Sequence, residues 1–196
     1  MASFDVLRAY LEARAAFTED ELAFTRERFI ETTLPAGEFL QRAGDVARHA
    51  AFVATGCLRS YVIDANGKEH IVQFAPETWW LADGPSLMTG APSQYFIDAV
   101  EDSELLLIDP PSQQQLIDNV PGYATAFRTG LQRHTAAKDQ RIVISLTTTA
   151  EERYLEFIAR YPSLVQRVPQ WMVASYLGVS PETISRVRKG LSRKPS

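Results

Sequence analysis

The spacing of apolar and polar positions changes character several times along the chain. Leu7, Tyr10 and Leu11 recur at helical spacing, which predicts an amphipathic helix over residues 3–15. Thr18-Glu19-Asp20-Glu21 has the spacing of a capping box and opens a second helix through about Phe29. From about 31 to 109 the runs shorten to β-like segments. Turn signals break them at Pro35-Ala36-Gly37, Ala43-Gly44-Asp45, Thr55-Gly56, Asn66-Gly67, Ala75-Pro76 and Gly90-Ala91-Pro92. Asn66-Gly67, set between residues 58–63 and 69–74, predicts a two-residue hairpin. Many short strands at regular spacing imply a sandwich or jelly-roll.

The strands stop at Pro110-Pro111. A short helix is expected over 112–118, and Pro121 opens a long one in which Tyr123, Phe127, Leu131, Ile142 and Leu146 supply the apolar positions. Its middle, from His134 to Gln140, is polar. A helix of that length is more natural as a connector that pairs with a copy of itself than as part of one small domain. Thr149 then caps a helix through about Arg160, and Tyr161-Pro162-Ser163 breaks it. The fold class is therefore α+β: N-terminal helices and a jelly-roll-like antiparallel β-roll, a long dimerisation helix, and a C-terminal helical unit. The expected boundaries are 1–120, 121–147 and 148–196.

Composition narrows the function classes. No apolar run approaches the roughly 18 residues that a membrane-spanning helix needs, and the N-terminal stretch lacks the basic-then-apolar pattern of a signal peptide. Cys57 is the single cysteine, so no internal disulfide can form, and it is expected as a small buried hydrophobe. The expected compartment is the cytoplasm. His49, His70 and His134 are scattered without ligand spacing, so neither a metal nor another cofactor is expected. The net charge of −4 hides an asymmetry: residues 165–196 hold six Lys/Arg against Glu182, a net +5, while the remainder carries 14 basic and 23 acidic residues, a net −9. A basic module on an acidic body points to a polyanion at that end.

Residues 170–191 give that end a motif. In QWMVASYLGVSPETISRVRKGL, Val173 and Leu177 lie four apart on one face, and Ala174 is small where a second helix must cross. Gly178 supplies the positive φ of a sharp turn, and Val179 plugs it. Ser180 and Pro181 then start a second helix that Ile184 and Val187 return to the core. This is a helix-turn-helix. The outer face of its second helix offers Glu182, Thr183, Ser185, Arg186, Arg188 and Lys189. Arginine suits guanine O6 and N7, and a carboxylate can accept from cytosine N4.

Leu34-Pro35-Ala36-Gly37-Glu38, Gly56-Cys57-Leu58-Arg59 and the stretch from Val168-Pro169-Gln170 to Leu191 resemble the Crp/Fnr family of transcription regulators, over residues 30–191. The resemblance implies a cyclic-nucleotide-binding-type roll, a homodimer through the long helix, and a winged helix-turn-helix on double-stranded DNA, with RNA polymerase as a candidate partner. The family's Ser-x-Glu-Thr-x-Ser-Arg segment matches Ser180, Glu182, Thr183, Ser185 and Arg186. It implies base reading by Glu182 and Arg186 in an inverted repeat whose half-site has a TGA core. Ser185 is suited to a thymine methyl or a phosphate, and Gln170, Ser180, Arg188 and Lys189 to phosphates. Pro181 stands where relatives have arginine, so one contact is missing.

The ligand motif departs from the family. The stretches corresponding to its Gly-Glu-Leu and Arg-Ser/Thr segments are Ala82-Asp83-Gly84 and Ser93-Gln94, which bring no cation for a cyclic phosphate. Arg59 and Lys68 do not match the motif. Control by cyclic AMP is therefore not expected, and the cysteine set of oxygen-sensing members is absent too. Trp79, Trp80, Asp83, Ser93 and Gln94 are the candidate contacts to an effector of unknown identity. Trp79 and Trp80 must point to opposite faces of a strand, one toward the core and one toward a surface or pocket mouth. The expected function is a DNA-binding regulator, not an enzyme. A cupin-like metal enzyme and a cyclic-nucleotide-binding module without DNA binding are the alternatives.

Overall fold

The computed structural model describes residues 2–191. Two N-terminal helices, α1 (Ser3–Glu12) and α2 (Glu19–Arg26), precede eight strands: β1 (Ile30–Leu34), β2 (Phe39–Gln41), β3 (Ala50–Thr55), β4 (Leu58–Ile63), β5 (Glu69–Ala75), β6 (Trp80–Leu81), β7 (Phe96–Ala99) and β8 (Ser103–Ile108). Between β6 and β7 lies the short α3 (Gly84–Thr89). After the strands come α4 (Pro110–Asn119), α5 (Pro121–Thr147), α6 (Ala150–Arg160), a 3-10 turn at Leu164–Gln166, α7 (Gln170–Leu177) and α8 (Pro181–Leu191). The Thr18 capping box forms as expected, its hydroxyl accepting from Glu21 N at 3.2 Å. Helix α2 ends three residues early because Phe29 is buried as the chain turns into β1.

The strands make two four-stranded sheets, ordered β1-β8-β3-β6 and β2-β7-β4-β5. Both faces of the first sheet are covered, so its alternate residues feed two apolar clusters. Leu105, Ala51 and Val53 join Leu58, Ile97 and Ala99 of the second sheet inside the roll. Leu106, Ile108 and Phe52 point the other way, onto Leu7 and Leu11 of α1, Leu116 of α4 and Tyr123 of α5. Burial alone drives both clusters, at about 1.5–3 kcal/mol for each large side chain removed from water. Burial also raises the pKa of the Tyr123 hydroxyl.

Two local expectations are corrected. The hairpin after β4 has a three-residue loop, not two: Gly67 N donates to Asp64 O at 2.9 Å, and Asp64 N to Lys68 O at 3.0 Å. The Asp64 carboxylate accepts from Asn66 N and Lys68 N, which stabilises a turn followed by left-handed Gly67 at φ +79°. Helix α3 was not anticipated, although Asp83 caps it, Pro85 lies in its first turn and Gly90 ends it in the left-handed region.

The chain divides into two compact units. Among the described residues, the hairpin Ile63–Val72 and residues 134–191 form the second, and the others form the first, so the division falls inside α5. In the second unit, Phe157, Tyr161 and Tyr176 pack ring against ring, with centroids 5.3–5.9 Å apart. Tyr154, Leu164, Val173 and Ile184 are buried in the same unit. Within 148–191 the described residues form helices and no strand, so the strands of a wing are not among them. Arg193 and Lys194 lie outside the described residues.

Candidate nucleic-acid interface

Helix α7 ends where Gly178 adopts φ +67°, a conformation that costs other residues but not glycine. There Val179 N donates to Ala174 O at 3.0 Å, closing the turn. Ala174 is 1% exposed, as the close crossing of two helices demands, and Ile184 of α8 is fully buried. Gln170 Nε2 donates to Pro181 O at 3.2 Å, so the first residues of α7 and α8 lie side by side. The two helix N-termini, each with a partial positive charge, thus come together.

Along α8 the polar side chains are ordered before any partner arrives. Ser180 Oγ accepts from Thr183 N at 3.3 Å and lies 3.2 Å from Thr183 Oγ1. Arg186 Nη2 donates to that same threonine hydroxyl at 3.3 Å, which steers an exposed guanidinium by a neutral group. The hydrogen bond from the Ser180 hydroxyl, with a smaller contribution from Arg186, lowers the pKa of Glu182 and keeps it an ionised acceptor. Glu182, Ser185, Arg186, Arg188 and Lys189 are all exposed, and Thr183 is half-buried. Seven of the expected DNA-facing residues therefore lie on one helix and its cap, with Gln170 beside them.

The five candidate effector contacts are not gathered in this way. Trp79 packs against the cluster inside the roll. Trp80 packs on the opposite side, 5.3 Å from Phe52 and 6.1 Å from Phe29. The two do take opposite faces, but each face is a core. Asp83 accepts from Ser86 N as the cap of α3. Ser93 Oγ accepts from Gln41 Nε2 at 2.6 Å and Tyr95 N at 2.9 Å, and Gln94 is exposed. Arg59, the buried strand cation, makes a bidentate pair with Asp98 at 2.7 and 2.8 Å. Cys57 is buried as expected. Among the described residues no group of three or more His, Cys, Asp or Glu side chains is arranged to hold a metal. None of the helices described is long and apolar enough to cross a membrane.

Helix α5, 27 residues and roughly 40 Å long at 1.5 Å per residue, begins on the roll and ends in the second unit. Tyr123 is buried, but Leu131 is 55% exposed, Ile142 59% and Leu146 79%. Sequence reasoning missed two residues of the second unit. Arg141 reaches the carbonyls of Ile71, Val72 and Tyr176, and burial lowers its pKa. Ser175 bonds Ile71 and Glu69.

Residues 31–120 match the family described as cyclic nucleotide-binding domain. No curated protein matches the chain. Among solved structures it is similar to FixK2 from Bradyrhizobium japonicum, with a TM-score of 0.72 and 19% identity over 84% of each chain. The catabolite activator protein of Thermus thermophilus is similar at TM-score 0.56 and 22% identity, over 90% of this chain and 84% of that one. The c-di-GMP responsive global regulator CLP of Xanthomonas campestris gives 0.71 and 15%, over 89% and 92%.

Proposed function

We propose that this chain, which has the fold of the Crp/Fnr regulators around a cyclic nucleotide-binding domain, is a transcription regulator that binds double-stranded DNA as a homodimer. The observation that carries the reading is the face of α8. Glu182, Ser185, Arg186, Arg188 and Lys189 stand exposed on a helix whose other face is anchored by buried Ile184. In this reading Arg186 takes guanine and Glu182 accepts from cytosine in the major groove. Ser185 meets a thymine methyl or a phosphate. Gln170, Ser180, Arg188 and Lys189 hold phosphates, and Thr183 orients Arg186.

The exposed Leu131, Ile142 and Leu146 of α5 support dimerisation through that helix. RNA polymerase is the machinery such a cytoplasmic regulator would address, and the protein is no enzyme in this reading. The roll is not a cyclic AMP sensor here, because its interior is filled by apolar side chains and Trp79, and Ser93 is engaged by Gln41 and Tyr95. In this reading Trp79, Trp80, Asp83 and Ser93 serve the fold.

Selection of bound fragments from a random DNA pool tests the reading. The expected product is an inverted repeat with half-sites about one helical turn apart. Recovery of no enriched sequence, or of a lone asymmetric site, would overturn it.

A further inference from the structure

Strand β5 lies at the end of the order β2-β7-β4-β5, so one of its edges has no neighbouring strand. Backbone groups on such an edge need other partners. Glu69 and Ile71, two residues apart, present theirs on the same side. The Ser175 hydroxyl meets both, accepting from Ile71 N at 3.0 Å and donating to Glu69 O at 2.8 Å. It thereby replaces one rung of a ladder, which only a group that both donates and accepts can do.

Arg141 completes the fastening from α5. Its Nη2 donates to Ile71 O at 3.0 Å and to Tyr176 O at 2.7 Å, and its Nη1 donates to Val72 O. The guanidinium also lies over the Tyr176 ring, 3.9 Å from its centroid. Three carbonyls from two segments converge on one planar fork, a task for which an ammonium lacks the geometry. Arg153 Nη1 adds a bond to Leu177 O at 2.9 Å, so two cations sit at the C-terminal end of α7. The hairpin, the second half of α5 and α7 are thus bound through two side chains that the DNA-facing surface does not use.

We infer that Arg141 and Ser175 are positioning residues for DNA binding: they fasten α7 to the edge of β5 and so fix the orientation in which α8 is presented. This rests on the reading of α8 as the DNA-reading helix. The fastening leaves the polar face of α8 uncovered, so it acts as a mount and not as a restraint. Ser175→Ala removes a donor and an acceptor, and Arg141→Gln removes the fork. Ser175→Thr keeps the hydroxyl and serves as the rescue.

Two measurements on the full chain test this. Amide exchange at Ile71 should quicken about 10-fold in Ser175→Ala, the loss of roughly one hydrogen bond, and stay near wild type in Ser175→Thr. Binding is then measured to the selected inverted repeat and to the same site with one extra base pair between its half-sites. Wild type and Ser175→Thr should discriminate between the two spacings. Ser175→Ala and Arg141→Gln should bind the selected site several-fold more weakly and discriminate less. General destabilisation would not move that ratio.

Unchanged exchange at Ile71 would overturn the fastening, and unchanged spacing discrimination would overturn the positioning role. Tighter binding by either variant would also overturn it, because the fastening would then be a restraint. If the wild type binds no DNA, the reading of α8 fails and the role with it, whereas faster exchange in Ser175→Ala would still identify the fastening.

Discussion

Arg59 and Arg186 put the same guanidinium to opposite uses. In the roll, Arg59 is 7% exposed and Asp98 5%, and the two carboxylate oxygens take two of its nitrogens. On α8, Arg186 is exposed and is steered by the Thr183 hydroxyl, with Glu182 one turn back adding a weaker attraction. A charge neutralised inside the fold has its chemistry consumed by the fold. One oriented by a neutral group keeps its full charge for whatever approaches. The same contrast separates Ser93, whose hydroxyl is occupied by Gln41 and Tyr95, from Ser185, which is exposed. Residue type alone does not mark a binding residue; the balance of local partners does.

The largest test of this contrast is Asp98→Ala. It leaves the Arg59 charge buried without its carboxylate, a change that costs about 3–5 kcal/mol. Urea unfolding followed through Trp79 and Trp80, which both pack in the roll, should show the loss. A cost below about 1 kcal/mol, as for a solvated surface pair, would mean that Arg59 is not confined as described.

Arg186→Ala should leave stability nearly unchanged and instead cost about 1–3 kcal/mol of DNA binding per half-site, with preference relaxed at the contacted guanine. Lys189→Ala should weaken specific and non-specific DNA alike and reduce the salt slope by about 1 per half-site. Titration of the selected site and a guanine-substituted variant at two salt concentrations separates the two outcomes. Equal losses on both DNAs for Arg186→Ala would mean that α8 meets the groove differently.

The parts legible in the sequence were those with a fixed local geometry. The turn at Gly178 demands a positive φ, and Val173, Ala174 and Ile184 sit at offsets that only a helix crossing explains. The boundaries of α5 and α6 followed from Pro121 and Thr149 for the same reason. The hairpin loop was misread because the Asp64 side chain, not the Asn-Gly pair alone, chooses the turn. Helix α3, with six residues, is too short to show a period, so only its Asp83 cap and Gly90 stop announced it. Period-two alternation sent Trp79 and Trp80 to opposite faces correctly, but could not tell that both faces are covered. Ser175 and Arg141 left no sequence signal, because their partners are backbone groups 70 or more residues away in most cases, and every residue type supplies those.

The smallest effect concerns a charge that is neither buried nor offered to a partner. At the start of α6, Thr149 Oγ1 accepts from Glu152 N, while the Glu152 carboxylate accepts from Thr149 N at 2.8 Å and from its hydroxyl at 2.9 Å. The Thr149 backbone N–H, then its hydroxyl, lowers the pKa of Glu152 below its ordinary 4.5. A carboxylate whose pKa is depressed by folding adds stability that is fully present above the unfolded value and disappears as pH falls through the folded one. Thr149→Ala removes the hydroxyl but keeps the N–H, so the Glu152 titration should move part of the way back toward 4.5. Loss of the hydroxyl cap should cost roughly 1 kcal/mol at pH 7. The gap between variant and wild type should then narrow as pH is lowered through the range beneath 4.5, where Glu152 becomes neutral in both proteins. Unfolding of both at neutral and acidic pH, with the Glu152 titration followed by NMR, measures each step. A gap that stays constant with pH would assign the whole effect to the bond between the Thr149 hydroxyl and Glu152 N, and none of it to the carboxylate.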